Sequence, residues 1–318
     1  MNSSSTPRAL LTELVEPSRG SSQRHDLRTL RYRSERQVIP EPAGPLDLLE
    51  GQRAFVAYGR PWKDAVIALI APASKYTPWF YNREIHHGDV LITVLDTSPQ
   101  VFGCIEIVGR DPTSDSAAIE LTWNLTSLPT VPQWLDLPPE PGALSRDIAA
   151  MLLRRLGRER WGTNTHLFGI SPPTTAEAAR VLMESGGRCT HCDEEIDLSK
   201  PDAREQIHVY LADANSHVEQ HYSDWPAALC TRCSKKMSAG GFINYLDFRF
   251  AANPQCPRCS GHRSVEHLVM PMMEDGLPPE SPWQFSEGTH DFDGDGFWLC
   301  HYCHLLFGDA PEGRRRYF

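Results

Sequence analysis

The sequence predicts an α+β fold in which a β-rich first half precedes two small cysteine-rich modules. Three observations lead to this prediction. Short runs of β-branched and aromatic residues crowd the region from about 50 to 125, two helix signals follow them, and four Cys-x-x-Cys pairs occupy the chain beyond residue 188. With 318 residues, the chain is long enough for two or three domains.

Several runs in the first half have the composition of β-strands, being rich in Val, Ile, Phe, Tyr and Trp. They are Ala54–Tyr58, Ala65–Ile70, Val90–Leu95, Val101–Val108 and Ile119–Trp123. The short polar segment 96–100 predicts a hairpin loop between the third and fourth runs, and Gly88-Asp89 predicts a turn before the third.

Two helices are predicted after the strands. The first spans Ser145 to Leu156: Ser145 caps it, Ile148, Met151, Leu152 and Leu156 share one face, and Gly157 ends it. The second begins at a capping box, Thr174-Thr175-Ala176-Glu177, and ends at Gly186-Gly187, which brings the chain directly to Cys189.

Eight of the nine cysteines fall into pairs, and the ninth, Cys104, lies in an apolar run that predicts a buried, inert thiol. A Cys-x-x-Cys turn aims two thiolates at one point, and two such turns complete a tetrahedral S₄ site. Disulfides are disfavoured because the N-terminus has no apolar leader. The sequence therefore predicts two structural Zn²⁺ sites. Their ligands are Cys189, Cys192, Cys230, Cys233, Cys256, Cys259, Cys300 and Cys303.

Spacing alone leaves the combination of the pairs open. Sequential pairing makes one site from the first two pairs and another from the last two, whereas a cross-braced arrangement joins the first pair to the third. We favour sequential pairing because each half of the cysteine-rich region has its own local signature.

Charge and hydropathy narrow the classes of function. The formal net charge of −10 disfavours an extended nucleic-acid-binding surface, although the Arg-rich residues 1–45 predict a disordered basic arm. No apolar run approaches the roughly 18 residues needed to cross a bilayer. We expect a cytoplasmic protein with no membrane association.

The segment Gly187-Arg188-Cys189-Thr190-His191-Cys192, followed by the stretch from Asp224 to Lys236 around Cys230 and Cys233, resembles the zinc-bound treble-clef frame of the HNH endonucleases. In that family the two cysteine pairs hold a structural zinc ion, and a ββα unit carries the nuclease site. A His before the second pair acts as general base, an Asn orients the hairpin, and a last His or Asn binds the catalytic metal.

The resemblance places His208 at the general-base position. Trp225 or a neighbour occupies the Asn position, and Ser234 replaces the last metal ligand, which implies a degenerate nuclease site. If the site is active, His217 and His221 are the residues that could substitute, together with a second, catalytic divalent metal ion. The alternative interpretation is that His208 is an ordinary, half-buried strand histidine with no catalytic role.

Cys256-Pro257-Arg258-Cys259, followed by the aromatic stretch Phe297-Trp298-Leu299 before Cys300-His301-Tyr302-Cys303, resembles a zinc ribbon. That fold implies two knuckles facing each other across a small β-sheet. Zinc ribbons bind DNA, RNA and protein alike, so the resemblance does not select a partner.

The stretch from Ile85 to Val94, with the strand Val101–Val108 after it, is similar to the PUA-like barrels, in particular the EVE and ASCH group. Such barrels hold an extruded nucleobase in an aromatic pocket. The resemblance implies that Trp79, Phe80, Tyr81 and Asp89 bind the base. The alternative is a plain β-domain core with these aromatic side chains packed inside.

Together these features predict a basic arm at 1–45, a PUA-like β domain at 46–160, an HNH-like module at 170–250 and a zinc ribbon at 251–318. A base reader fused to an HNH frame is the architecture of modification-dependent restriction enzymes. The leading hypothesis is therefore a zinc-dependent DNA-binding protein of that defence lineage, with a degenerate nuclease module. The alternatives are an active modification-dependent endonuclease and a protein–protein adaptor with purely structural zinc sites.

Overall fold

The computed structural model describes residues 37–38, 46–71, 79–80, 84–109, 119–159, 173–212, 217–218, 221–222, 224–268, 284–286 and 296–309. These residues form two compact units. The first contains the described residues up to 159 together with 173–209 and 227–231, and the second contains 210–226 and the described residues from 232 onward. Across these ranges, no helix is both long and apolar enough to pass through a bilayer.

A mixed β-sheet is the centre of the first unit. Its strands are β1 (Gln37–Val38), β2 (Ala54–Gly59), β3 (Trp79–Phe80), β4 (Val90–Leu95), β5 (Val101–Val108), β6 (Ile119–Asn124) and β7 (Gly142–Ala143). The order is β1-β6-β5-β4-β2-β3, with β7 also paired to β2. The β1–β6 and β2–β4 pairs are parallel, and the others are antiparallel. This path is open within the described strands, so they form no closed barrel.

The two central strands, β4 and β5, are buried along their whole length, which explains why both are nearly continuous apolar runs. One face of the sheet packs against helix α2 (Arg146–Glu159), through a core that includes Val56, Ile92, Trp123 and Leu152. The opposite face lies against helix α1 (Trp62–Ile70), which approaches β2 and β5 at two glycines. A Cβ at Gly59 would come within 2.8 Å of Ala65 Cβ, and one at Gly103 within 3.3 Å of a Leu69 methyl.

The prediction of a strand at Ala65–Ile70 is wrong, because this run forms most of α1. Residues from Asp64 to Leu69 are all buried, so the helix shows no amphipathic period. A short, wholly buried apolar run has the same pattern in a helix and in a strand. The alanines at 65 and 68 favour the helix.

Helix α2 confirms one predicted element with two corrections. Ser145 Oγ accepts a hydrogen bond from the Ile148 N–H at 3.4 Å, as expected for a cap, but the helix continues through Gly157 to Glu159. The buried face contains Ala149 and Leu153, whereas Met151 is 38% exposed. Packing against the sheet therefore outweighs the local cost of a glycine within the helix, about 1 kcal/mol.

The cysteine-rich half contains short elements. The helices are α3 (Thr175–Ser185), α4 (Ala203–Gln206), α5 (Thr231–Ala239) and α6 (Tyr245–Phe250). The strands are β8 (Ile207–Tyr210), β9 (His217–Val218), β10 (His221–Tyr222), β11 (Ala227–Cys230), β12 (Ser264–Leu268), β13 (Gln284–Ser286), β14 (Trp298–Cys300) and β15 (Leu306–Phe307). Strands β8 and β11 pair, β9 pairs with β10, and the last four form a sheet in the order β13-β12-β14-β15.

Helix α3 confirms its predicted ends. Thr174 Oγ1 accepts from the Glu177 N–H at 3.2 Å, the Glu177 carboxylate accepts from the Thr174 N–H at 3.0 Å, and Gly186 ends the helix with φ +57°. Arg180 joins the helix to the segment that follows β6, because its guanidinium donates to Leu128 O at 3.1 Å. Burial lowers the pKa of Arg180.

Helix α1 contacts the start of strand β8 and the helix before it. Lys63 Nζ in α1 donates to Ile207 O at 2.6 Å, and Arg204 Nη1 lies 3.0 Å from Asp64 Oδ2. Burial lowers the pKa of Lys63. Through these contacts, α1 stabilises the segment between the first two cysteine pairs.

A buried carboxylate, Asp224, organises the second unit. Its Oδ1 accepts from the Tyr245 N–H at 2.9 Å at the start of α6, and its Oδ2 accepts from the Tyr210 hydroxyl. Burial raises the pKa of Asp224, against the opposing effect of these donors. A small apolar cluster completes the core: Leu246, Phe250, Val265 and Leu299, with Trp225 and Leu306 packed against it.

Candidate metal centres

The structure brings the eight paired cysteines together as two groups of four. One contains Cys189, Cys192, Cys230 and Cys233, and the other contains Cys256, Cys259, Cys300 and Cys303. Within each group the sulfur atoms all lie within 4.8 Å of one another. The pairs therefore combine sequentially, and the cross-braced arrangement is not the one found.

Three of the four cysteine pairs lie on backbone turns of the same type. In each, the first cysteine accepts a hydrogen bond at its carbonyl from the N–H four residues later, and its own N–H donates to the carbonyl five residues later. The residue four after the first cysteine adopts a left-handed conformation, which reverses the chain. These residues are Asp193 (φ 58°), Ser260 (φ 59°) and His304 (φ 54°), which follow Cys189, Cys256 and Cys300.

The fourth pair is held differently. Cys230 ends strand β11, and Cys233 lies in the first turn of helix α5. Hydrogen bonds from Thr190 N to Ala228 O (2.8 Å) and from Ala228 N to Thr190 Oγ1 (3.0 Å) join the first turn to β11. The first group thus combines one turn with one helix N-terminus, whereas the second group combines two turns.

The distances between the sulfur atoms fit tetrahedral coordination of one metal ion. With a Zn–S bond of about 2.3 Å, the edge of an S₄ tetrahedron is about 3.8 Å. Cys192 Sγ and Cys230 Sγ are 3.9 Å apart, and the pairs Cys256–Cys303 and Cys259–Cys300 are each 3.5 Å apart. Both groups could hold one metal ion, and four thiolates in this geometry suit Zn²⁺ or an iron site.

Backbone donors also suit bound thiolates. The Cys230 N–H donates to Cys189 Sγ at 3.3 Å, and the Tyr302 N–H donates to Cys300 Sγ at 3.4 Å. Without metal, the thiols titrate unequally. Burial raises the pKa of Cys300 to about 12. Burial acts in the same direction on Cys256, but the N–H groups of Cys259 and Arg258, together with the side chains of Cys303 and Cys300, outweigh it and bring that pKa to about 7.

The predicted general base, His208, lies half-buried in β8. Its Nε2 is 3.2 Å from Thr231 Oγ1, at the start of α5, and the same hydroxyl lies 3.3 Å from Gln206 O. Strand β8 pairs with β11, and Thr231, which contacts His208, is the first residue of α5. Ser234, in α5, occupies the position where the HNH resemblance expects the last metal ligand.

The other predicted catalytic histidines lie on the short β9–β10 pair, in which His217 is paired with Tyr222 and His221 with Val218. Their side chains lie outside the described part of the structure. Their catalytic role stays a prediction.

The predicted base-binding residues have different surroundings. Trp79 is buried, and its Nε1 donates to Glu106 Oε2 at 3.1 Å. Asp89 is buried in its turn, where it accepts from Arg53 Nε at 3.2 Å and from the His86 N–H at 2.7 Å. Phe80 pairs with Tyr58 between β3 and β2, and Tyr81 lies outside the described residues.

Sequence reasoning missed Glu106, whose side chain is fully buried on the α1 side of the sheet. One signal was available: a single glutamate interrupts the otherwise apolar run Val101–Val108. A buried carboxylate needs hydrogen-bond donors, and the Trp79 indole supplies one. Trp79 and Glu106 therefore form a buried pair in the core of the first unit.

Comparisons with protein-family models, with curated proteins and with solved structures find no match to this chain.

Proposed function

We propose that this chain is a DNA-binding protein in which two structural zinc ions stabilise a treble-clef module and a zinc ribbon. In this proposal it belongs to the lineage of modification-dependent restriction proteins. The first unit acts as a PUA-like nucleobase reader, and the HNH-like module has lost its nuclease site.

The observation that supports this proposal best is the construction of the first cysteine group. A treble clef combines one zinc-binding turn with two ligands at a helix N-terminus, as Cys189/Cys192 and Cys230/Cys233 do here. The element order β8, β11, α5 around it is that of the ββα unit in HNH nucleases. The two-turn construction of the second group, with the β12–β14–β15 sheet beside it, agrees with a zinc ribbon in the same way.

The loss of cleavage is argued from residue chemistry. Phosphodiester hydrolysis needs an activated water and a Lewis acid at the phosphate. Ser234 stands at the last ligand position, so the His or Asn side chain that the HNH resemblance expects to hold the catalytic metal is missing there. The Nε2 atom of His208, at the general-base position, lies 3.2 Å from Thr231 Oγ1.

The test uses the purified full-length protein. Fluorescence anisotropy with duplexes containing cytosine or 5-methylcytosine, over a series of salt concentrations, measures binding. Incubation of modified and unmodified plasmid with Mg²⁺, Mn²⁺ or Ni²⁺ measures cleavage. We expect salt-dependent binding that favours one duplex, with no nicking.

The alternatives predict other results. Metal-dependent nicking that is lost in His208→Ala, but kept in the exposed control His262→Ala, would identify an active endonuclease. No salt-dependent affinity for either duplex would reject DNA binding in favour of an adaptor.

A further inference from the structure

An isoleucine on the second unit is almost completely exposed. Ile243, between α5 and α6, has 88% of its surface open to solvent, the highest value among the large exposed apolar side chains of the described residues. Isolated exposed apolar residues are common on protein surfaces, so exposure alone assigns no role.

The backbone around Ile243 is fixed on both sides. The Phe242 N–H donates to Met237 O at 3.2 Å, and the Gly241 N–H donates to Ser238 O at 3.1 Å, which fold the segment back on the end of α5. The Tyr210 hydroxyl lies 3.2 Å from Ile243 O. Asn244 then caps α6 by accepting from the Asp247 N–H at 2.7 Å. The loop thus presents the side chain in a defined position, so docking against a partner needs little further ordering.

The helix before this loop is basic on its exposed face. Helix α5 buries Cys233 and Met237, while Arg232, Lys235 and Lys236 are exposed. No acidic residue occurs between Asp224 and Asp247.

The two acids that bound this stretch have internal partners. Asp224 is buried, and Asp247 lies 3.1 Å from Arg263 Nη2. The exposed face of α5 therefore carries three cations, and the uncharged loop that follows it presents one exposed apolar side chain, although the whole chain has a net charge of −10.

We propose that this surface, defined by Arg232, Lys235, Lys236 and Ile243, docks on duplex DNA. The cations contact backbone phosphates, and Ile243 packs against the base edges or the sugar wall of a groove. Proteins that bind a deformed DNA groove combine cationic side chains with an apolar side chain inserted between them. This inference rests on the proposed DNA binding and names the surface that carries it. An acidic protein surface is the other partner that such a patch could accept, and duplex binding that does not depend on Lys235 and Lys236 would favour it.

The experiment compares full-length variants in the anisotropy titration over a series of salt concentrations. The variants are Ile243→Ala and the double variant Lys235→Gln/Lys236→Gln. Met151→Ala is the control for an exposed apolar side chain, and Lys200→Gln is the control for an exposed charge. Unchanged metal content and far-ultraviolet circular dichroism show that each variant is folded.

The two contacts predict different signatures. Each lost phosphate contact lowers the magnitude of the slope of log K against log salt by about 0.9. The double-lysine variant should therefore lose about two units of slope. Ile243→Ala should bind about tenfold more weakly with the slope unchanged, because it removes an uncharged contact. Both controls should match the wild type.

If the wild type binds duplex but both sets of variants bind as it does, this docking surface is wrong while DNA binding stands. The same conclusion follows if the double-lysine variant keeps the full salt slope. If the wild type binds no duplex at all, the proposed function itself fails.

Discussion

At the scale of single residues, the metal centres depend on conformation as much as on sulfur. Asp193, Ser260 and His304 all have positive φ, which an L-residue adopts at a cost of about 1–2 kcal/mol. In each turn the N–H of this residue donates to the carbonyl of the first cysteine, and the carbonyl of the next residue accepts from the N–H of that cysteine. The Cys-x-x-Cys spacing is visible in the sequence, whereas these turning residues share no side-chain type and could not be recognised from it.

Ser260→Gly should stabilise the protein by about 0.5–1 kcal/mol, because glycine adopts φ 59° without a steric cost. The greater conformational entropy of glycine in the unfolded chain offsets only part of this gain. Urea unfolding followed by tryptophan fluorescence measures the change. The matched control is Ser238→Gly in helix α5, which should lose about 0.5 kcal/mol. Equal effects of the two substitutions would contradict the conformational argument.

Asp224 should give the second unit a distinct pH dependence. Its folded pKa is raised by burial, so in the window just above the ordinary aspartate value the native state holds a proton that the unfolded chain has released. This contribution to stability is present at acid pH and is lost as the pH rises through the folded pKa. Asp224→Asn should remove it, so the difference in melting temperature between variant and wild type should change with pH across that window. A constant difference would contradict the assignment.

At the scale of elements, the junction between α3 and the first cysteine turn depends on two adjacent glycines with different constraints. Gly186 has φ +57° with open space around its Cα, whereas Gly187 has φ +83° and a Cβ there would lie 2.7 Å from Leu198 Cδ1. The sequence predicted that α3 ends here, but only the packing separates the two positions.

Gly186→Ala should therefore cost about 1 kcal/mol of stability, from backbone conformation alone. Gly187→Ala should cost about 2–3 kcal/mol, because it adds a steric conflict with Leu198 to the same backbone cost. Parallel urea titrations measure both values. Equal stability of the two variants would contradict the expected steric conflict with Leu198.

The elements that could be predicted are those with a local signal. Val90–Leu95, Val101–Val108 and helix α3 follow from composition and capping residues, and the structure confirms them. Helix α1 could not be predicted, because a run buried on all sides loses the periodicity that distinguishes a helix from a strand. The Trp79–Glu106 pair joins residues from different strands, a contact that no single segment encodes.

At the scale of the whole molecule, the two units differ in how much apolar core they contain. The sheet of the first unit is covered by a helix on each face, whereas the small cluster at α6, β12 and β14 is the apolar core found for the second unit among the described residues. A core this small needs an additional source of stability. Metal binding provides it, because the ion binds the folded state and not the unfolded chain.

Chelation should consequently unfold the second unit while leaving the sheet of the first. Amide hydrogen exchange with and without a strong chelator should show lost protection in β12 and β14 and retained protection in β4 and β5. The effect should increase as the pH falls, because protons compete with metal for the thiolates. Protection in β12 that survives complete metal removal would show that the metal has no structural role.

The most direct test of the account is the metal stoichiometry of the purified full-length chain, measured by elemental mass spectrometry. We predict two zinc ions in the wild type, one in Cys256→Ser, and two in the control Cys104→Ala, because Cys104 lies in β5 outside both cysteine groups. Fewer than two metal ions in the wild type, iron in place of zinc, or an unchanged count in Cys256→Ser would contradict it.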